Sequence, residues 1–232
     1  MMPQLIDKKK KLFFYFIIFI LLSTQITKDQ SKEKRTSINF NRIEVFGLSS
    51  EENSKVLKNL QSLQFQNIFL INKENLIKIL KKNNLIESFS IKKYYPNKIK
   101  INIKPTEFLA VTSQNNKKYY IGSNGKLIFI DENKNINKKL PFVFSKSNYE
   151  GFIKLKKIID KSKFKFEEIE SFYYFSSNRW DIKINNGLLI KLPEKKILES
   201  LEIAYMIKAN KEFEDNNIID LRVNNKIVIS NE

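Results

Sequence analysis

Carboxylates are the first candidates for acid–base chemistry in this sequence, because it contains neither histidine nor cysteine. That composition removes the commonest general base, the Ser-His-Asp arrangement, disulfide bonds and the ordinary zinc ligands. Three clusters of neighbouring acidic residues are candidates for such chemistry, and they are Asp131/Glu132, Glu167/Glu168 and Glu212/Glu214/Asp215. Each lies in a polar stretch without a partner motif, whereas catalytic carboxylates must face each other across a cleft. We therefore interpret them as solvated charge and predict a non-enzymatic protein with no catalytic residue, no metal site and no cofactor.

Two arginines and the last apolar segment are the strongest candidates for a binding role. Arg179 and Arg222 stand out because lysine supplies most of the positive charge, and their rigid guanidinium forks suit carboxylates of this chain or of a partner. The segment Lys226–Ser230 predicts a final strand at a sheet edge, where another chain can add a strand. The alternative is a short edge strand protected by its polar neighbours. The predicted partner-binding residues are Arg179, Arg222, Val223, Lys226, Ile227, Val228, Ile229 and Ser230.

An apolar run behind a block of lysines begins this sequence. Lys8–Lys11 precede an unbroken apolar stretch, which predicts a cytoplasmic tail at residues 1–11 and a transmembrane helix at residues 12–27. The apolar stretch reaches only about 22 Å, against a hydrocarbon core of about 30 Å. A cleaved signal peptide is the alternative, although a small-residue cleavage site is not evident. The side chains assigned to the span include Leu12, Phe16, Ile20 and Leu22.

The remaining residues have the composition of folded domains with a basic surface. The 232 residues are 42% hydrophobic and carry a formal net charge of +17, so the chain can build a core and is not a disordered tail. Because the lysines are spread through every predicted element, they do not form the single basic stripe expected of a nucleic-acid-binding protein. A position beside an anionic lipid surface fits this charge better.

Residues 38–104 follow a strand, helix, helix, strand, strand pattern after a polar linker at residues 28–37. Ser49 with Glu52 and the later Asn72 predict the starts of two helices. Ile99, Ile101 and Ile103 alternate with polar residues and predict a half-buried strand.

Residues 105–232 predict a mainly antiparallel β-domain with packed helices. Tight hairpins are expected at Asn124-Gly125 and Asn186-Gly187. Helices are expected at residues 151–161 and, after Pro193, at residues 194–210. Trp180 is expected to anchor the core from a strand.

In this order and at these spacings, seven segments resemble the FtsQ/DivIB family of bacterial cell-division proteins. The matching segments are Asn41–Gly47, Asn67–Phe69, Tyr94–Ile103, Tyr120–Leu127, Arg179–Gly187, Lys191–Pro193 and Ile219–Arg222. The resemblance implies an α+β protein with an N-terminal transmembrane helix, a small POTRA domain of β-α-α-β-β order and the β-domain described above.

That resemblance also implies a function. It implies a non-enzymatic divisome scaffold of the inner membrane and division septum, with most of the chain in the periplasm. The last strand and Arg222 would bind FtsB/FtsL-type coiled-coil partners by strand addition and ion pairing. The alternative is a POTRA-bearing envelope assembly or transport factor, which would need many more strands of about ten residues.

Overall fold

The computed structural model describes residues 8–24, 42–130, 139–145, 149–210, 217–223 and 226–231. The first element is helix α1 (Lys8–Thr24), whose side chains from Leu12 to Ile20 are mostly exposed. Among these described residues, no helix is both long and apolar enough to cross a membrane. The predicted span at residues 12–27 extends past α1 into residues 25–27, which lie outside the described residues. Because α1 has 17 residues and begins with four lysines, its apolar part spans only about 20 Å.

A small α+β unit follows, and its elements confirm the predicted β-α-α-β-β order. They are β1 (Arg42–Phe46), α2 (Ser50–Asn59), α3 (Lys73–Lys81), β2 (Ile86–Tyr94) and β3 (Lys98–Pro105). The three strands form a sheet of order β1-β3-β2, in which β1 is parallel and β2 antiparallel to the central β3. Both helices pack on this sheet through a shared apolar core.

Local sequence signals fix the ends of these helices and the face of the central strand. The Ser49 hydroxyl accepts a hydrogen bond from the Glu52 N–H at 3.3 Å, and the Asn72 side chain accepts one from the Glu74 N–H at 2.8 Å. Both helices therefore begin where the capping residues predicted. In β3, the alternating isoleucines are buried and form the centre of the core.

The rest of the described chain forms one nine-stranded sheet with two helices. Its elements are β4 (Phe108–Gln114), β5 (Lys117–Gly122), β6 (Leu127–Phe129), β7 (Phe142–Phe144), α4 (Tyr149–Ile159), β8 (Ile169–Phe175), β9 (Arg179–Ile184), β10 (Leu189–Lys191), α5 (Ile197–Ala209), β11 (Ile218–Asp220) and β12 (Val228–Ser230). The strand order is β12-β11-β10-β9-β8-β7-β4-β5-β6. Pairing is parallel on both sides of β7 and between β10 and β11, and antiparallel elsewhere. The expectation of a mainly antiparallel sheet is confirmed.

Helices α4 and α5 share their core with alternate residues of the central strands. Phe152 of α4 is fully buried and meets the ring of Phe172 edge-on, with centroids 5.1 Å apart. Trp180 on β9 is buried in the same cluster, which confirms its predicted role as a core anchor. Because alternate strand residues point to opposite sides, Tyr173 and Asp181 lie on the other face of the sheet.

A polar junction connects the two sheets. The Asn124 side-chain amide donates to the carbonyl oxygens of Asn84 and Ile86, at 2.9 and 3.0 Å. The Ser123 hydroxyl donates to the Glu87 carboxylate at 2.7 Å. These bonds join the start of β2 to the β5–β6 hairpin and place the junction at one end of the small sheet.

Candidate partner-binding edge

The final strand, β12, lies at one edge of the nine-stranded sheet. It pairs antiparallel with β11, where Ile219 faces Ile229 and Asp220 faces Val228. Within the described ranges, no strand pairs with its outer side. Ile227 and Val228 remain 48% and 45% exposed. The predicted edge strand is therefore present, and it has an unpaired backbone side with apolar side chains beside it.

A groove of about 320 Å³ runs between this edge and the start of α5. Val223 and Ile227 line it from the edge, and Ile203 lines it from the helix. Lys196, Glu199 and Lys226 also line the groove, so it has mixed polar and apolar walls and lies beside the segment that leads into β12.

Arg222 follows β11 and is paired within the chain. Its Nε donates to both carboxylate oxygens of Asp220, each at 2.8 Å, and its Nη2 donates to Oδ2. These hydrogen bonds lower the pKa of Asp220, and the same carboxylate raises the pKa of Arg222. The sequence left the internal and partner roles of Arg222 open, and the structure shows that the internal one is occupied.

Arg179 also meets a carboxylate of its own chain. Its Nε lies 3.5 Å from Oδ1 of the buried Asp181, and its guanidinium lies 4.7 Å from the centroid of the Phe175 ring. Burial raises the pKa of Asp181, and the positive charges of Arg179, Arg222 and Lys191 oppose that rise.

Strand register brings these charges into one row across the sheet. Lys191 on β10 faces Asp181 on β9 and Asp220 on β11, and Asp220 in turn faces Val228 on β12. Directly opposed residues share a face of the sheet. The row therefore ends at the open edge, on the face opposite α4 and α5.

Sequence reasoning found the edge and both arginines but missed their internal carboxylates and the groove. The available signal was the spacing in Arg179-Trp-Asp181 and Asp220-Leu-Arg222, because residues two apart on a strand lie on the same face. The groove had no such signal, since it depends on how α5 packs beside β12.

Of the three acidic groups considered for catalysis, the structure describes only Glu167/Glu168. Glu167 is exposed, and Glu168 accepts a hydrogen bond from Lys208 at 2.9 Å. Residues 131, 132, 212, 214 and 215 lie outside the described residues. The described part of the chain contains no group of three or more acidic residues arranged to hold a metal ion.

The fold and its edge define a class of protein: a small POTRA-like α+β unit followed by a large β-sheet unit. Residues 38–104 match the family described as "POTRA domain, FtsQ-type", and residues 110–222 match "Cell division protein FtsQ/DivIB, C-terminal". The chain belongs to the FtsQ/DivIB family of cell division proteins. The second match ends at Arg222, so it does not include β12.

Individual proteins agree with this assignment. The chain is 28% identical over 189 residues to Cell division protein FtsQ of Rickettsia conorii, covering 79% of this chain and 68% of that relative. It is 28% identical over 188 residues to the FtsQ of Rickettsia bellii, with the same coverage. A solved DivIB extracytoplasmic domain from Geobacillus stearothermophilus aligns at 10% identity over 46% of this chain and 94% of that structure. Its TM-score of 0.32 is too low to support a conclusion.

Proposed function

We propose that this protein is a non-enzymatic scaffold of the divisome that binds FtsB/FtsL-type coiled-coil partners at β12. The observation that carries this proposal is the unpaired outer side of β12 within the described chain, with Ile227 and Val228 exposed beside it. An extended segment of a partner would continue the sheet through main-chain hydrogen bonds, and alternate side chains would select the sequence. The groove lined by Val223 and Ile227, next to the start of β12, would receive one of these side chains.

Arg222 would act as a secondary contact beside this added strand. Its bonds to Asp220 use Nε and Nη2, and a guanidinium carries five N–H donors in all. Asp220 would therefore hold the fork in place while the Nη1 edge meets a partner carboxylate. Arg179, 3.5 Å from a buried carboxylate and stacked beside Phe175, has the more internal role.

We further propose that α1 anchors the protein in the inner membrane at the division septum, with both sheets on the periplasmic side. Support comes from its apolar side chains, which are exposed along Leu12–Ile20, and from the preceding lysines, which favour the cytoplasmic side. Snorkelling of flanking lysines and local thinning of the bilayer would accommodate so short a helix. Resistance of the chain to alkaline extraction from membranes tests the anchor, and release into the soluble fraction would refute it.

The test of the edge is a proline substitution within β12. Val228→Pro removes a backbone N–H and resists extended pairing, so we expect it to abolish co-purification of the coiled-coil partners from the cell envelope. The matched control is Phe129→Pro in β6, which lies at the opposite edge of the same sheet. Both variants are checked for an unchanged thermal midpoint. Normal partner capture by a folded Val228→Pro protein would refute strand addition at β12.

A further inference from the structure

The POTRA-like unit has an exposed apolar tip at the end opposite the polar junction. The tip comprises Phe65, Phe69, Leu70, Tyr94 and Tyr95. Leu70 is 79% exposed, and Phe69 and Tyr95 are each 59% exposed. Three large apolar side chains exposed together at one site are unusual on a soluble surface and mark a place of contact.

Strand directions place these residues at one end of the small sheet. β1 runs parallel to β3 with Arg42 facing Lys98, so both strands begin at the same end, and antiparallel β2 finishes there at Tyr94. α2 starts after β1 at the far end and returns towards Arg42. The segment between α2 and α3 therefore lies beside the β2–β3 turn.

Specific contacts hold the tip together. The Lys93 ammonium donates to the carbonyl oxygens of Ile68 and Ile71, at 3.0 and 2.8 Å. The Phe69 and Tyr95 rings stack with centroids 4.8 Å apart. These contacts hold the α2–α3 segment against the end of β2 and fix the positions of the exposed rings.

We propose that this tip docks on an anionic lipid bilayer, with its rings and Leu70 in the headgroup region. The inference rests on the membrane anchorage proposed for α1. The small sheet starts at Arg42, which is at the tip end, and residues 25–41 connect it to α1. Even fully extended, this connection spans no more than about 60 Å. Because the chain enters from the same end, the tip faces the surface in which α1 would be embedded.

The chemistry of the tip fits that surface. Tyrosine and other amphipathic rings concentrate at membrane interfaces. Lys73 and Lys92 are exposed at the same end of the unit, and lysines near a bilayer are attracted to anionic headgroups. Docking would hold the POTRA-like unit against the membrane and point the junction and the large sheet away from it.

The absence of cysteine from the sequence makes a site-specific test direct. The full chain carrying Leu70→Cys is labelled with an environment-sensitive fluorophore and reconstituted into phosphatidylcholine–phosphatidylglycerol vesicles. The matched control is Lys82→Cys, which is exposed at the opposite end of the same unit, after α3. We expect lipid-borne nitroxide to quench the label at position 70 several-fold more strongly than the label at position 82. With the label moved to exposed Gln66, serine at both Phe69 and Leu70 should reduce lipid quenching to the level of the control.

Flotation of the vesicles distinguishes a failure of the docking proposed for the tip from a failure of the membrane insertion proposed for α1. A chain that does not float with vesicles refutes the anchor and, with it, the lipid docking of the tip. A chain that floats while iodide in the aqueous phase quenches positions 70 and 82 equally overturns the docking alone. A label at position 70 that neither iodide nor lipid nitroxide reaches would show protein covering the tip, which also overturns docking on lipid.

Discussion

Removing the Arg222 guanidinium would measure how far the proposed binding at the β12 edge depends on charge. The side chains of Arg222 and Asp220 are 39% and 16% exposed, so water screens their pairing. Ion pairs of this kind contribute about 0.2–1 kcal/mol. A partner carboxylate that contacts the same guanidinium would contribute a similar free energy of binding. Arg222→Ala should therefore weaken binding by about 1.4- to fivefold. A fully desolvated pair would instead lose about 2–5 kcal/mol, which this exposure does not support.

A double-mutant cycle tests that magnitude. Calorimetric titration of the full chain with a coiled-coil partner would compare wild type, Arg222→Ala, Asp220→Asn and the double variant. We expect Asp220→Asn to weaken binding less than Arg222→Ala, because it removes only the group that holds the fork in place. Two results would contradict the reasoning. One is an affinity of Arg222→Ala equal to that of the wild type, which would show that Arg222 does not take part in the interface. The other is a loss above a hundredfold with unchanged stability, which would make charge rather than strand pairing the main source of affinity.

Three further predictions concern stability. Burial raises the pKa of Asp181 in the folded protein. Its contribution to the free energy of unfolding is therefore complete below the pKa of the unfolded state, about 4, and is lost as pH rises through the pKa of the folded state. Asp181→Asn should therefore be at least as stable as wild type in urea at pH 7, and the difference should shrink near pH 4. A Cβ at Gly47, where φ is +116°, would lie 1.8 Å from a β3 carbonyl oxygen, so Gly47→Ala should cost more than about 2 kcal/mol in thermal unfolding. Gly187→Ala is the control, because its φ is +93° but its Cβ would meet nothing within 4 Å. Phe152→Ala empties a fully buried site and should cost about 3–5 kcal/mol, with red-shifted fluorescence of Trp180.

The sequence predicted correctly those strands and turns whose formation depends on a few neighbouring residues. The isoleucine alternation in β3 and the turn at Asn124-Gly125 identified strands and a hairpin because side-chain period and positive φ are properties of short segments. β7 was missed, since three residues after a proline carry no detectable period. α5 begins at Ile197 rather than at residue 194, because Lys196 adopts a left-handed conformation with φ of 58°. The internal pairing of both arginines was left open because it depends on side-chain contacts in the folded sheet, not on residue type alone.

The short length of β12 and the charges near it are compatible with the proposed role of an open edge that does not pair indiscriminately. An exposed edge invites aggregation, and natural proteins limit that risk with short strands and nearby charge. β12 has three residues, follows the exposed Lys226, and ends the row that begins with Asp181 and Lys191. So short an edge offers few main-chain hydrogen bonds. At the proposed site, selectivity would therefore come from the neighbouring side chains, namely those that line the groove at Val223 and the Asp220–Arg222 pair. A partner that fits only the backbone would bind weakly, and one that also fills the groove would bind selectively.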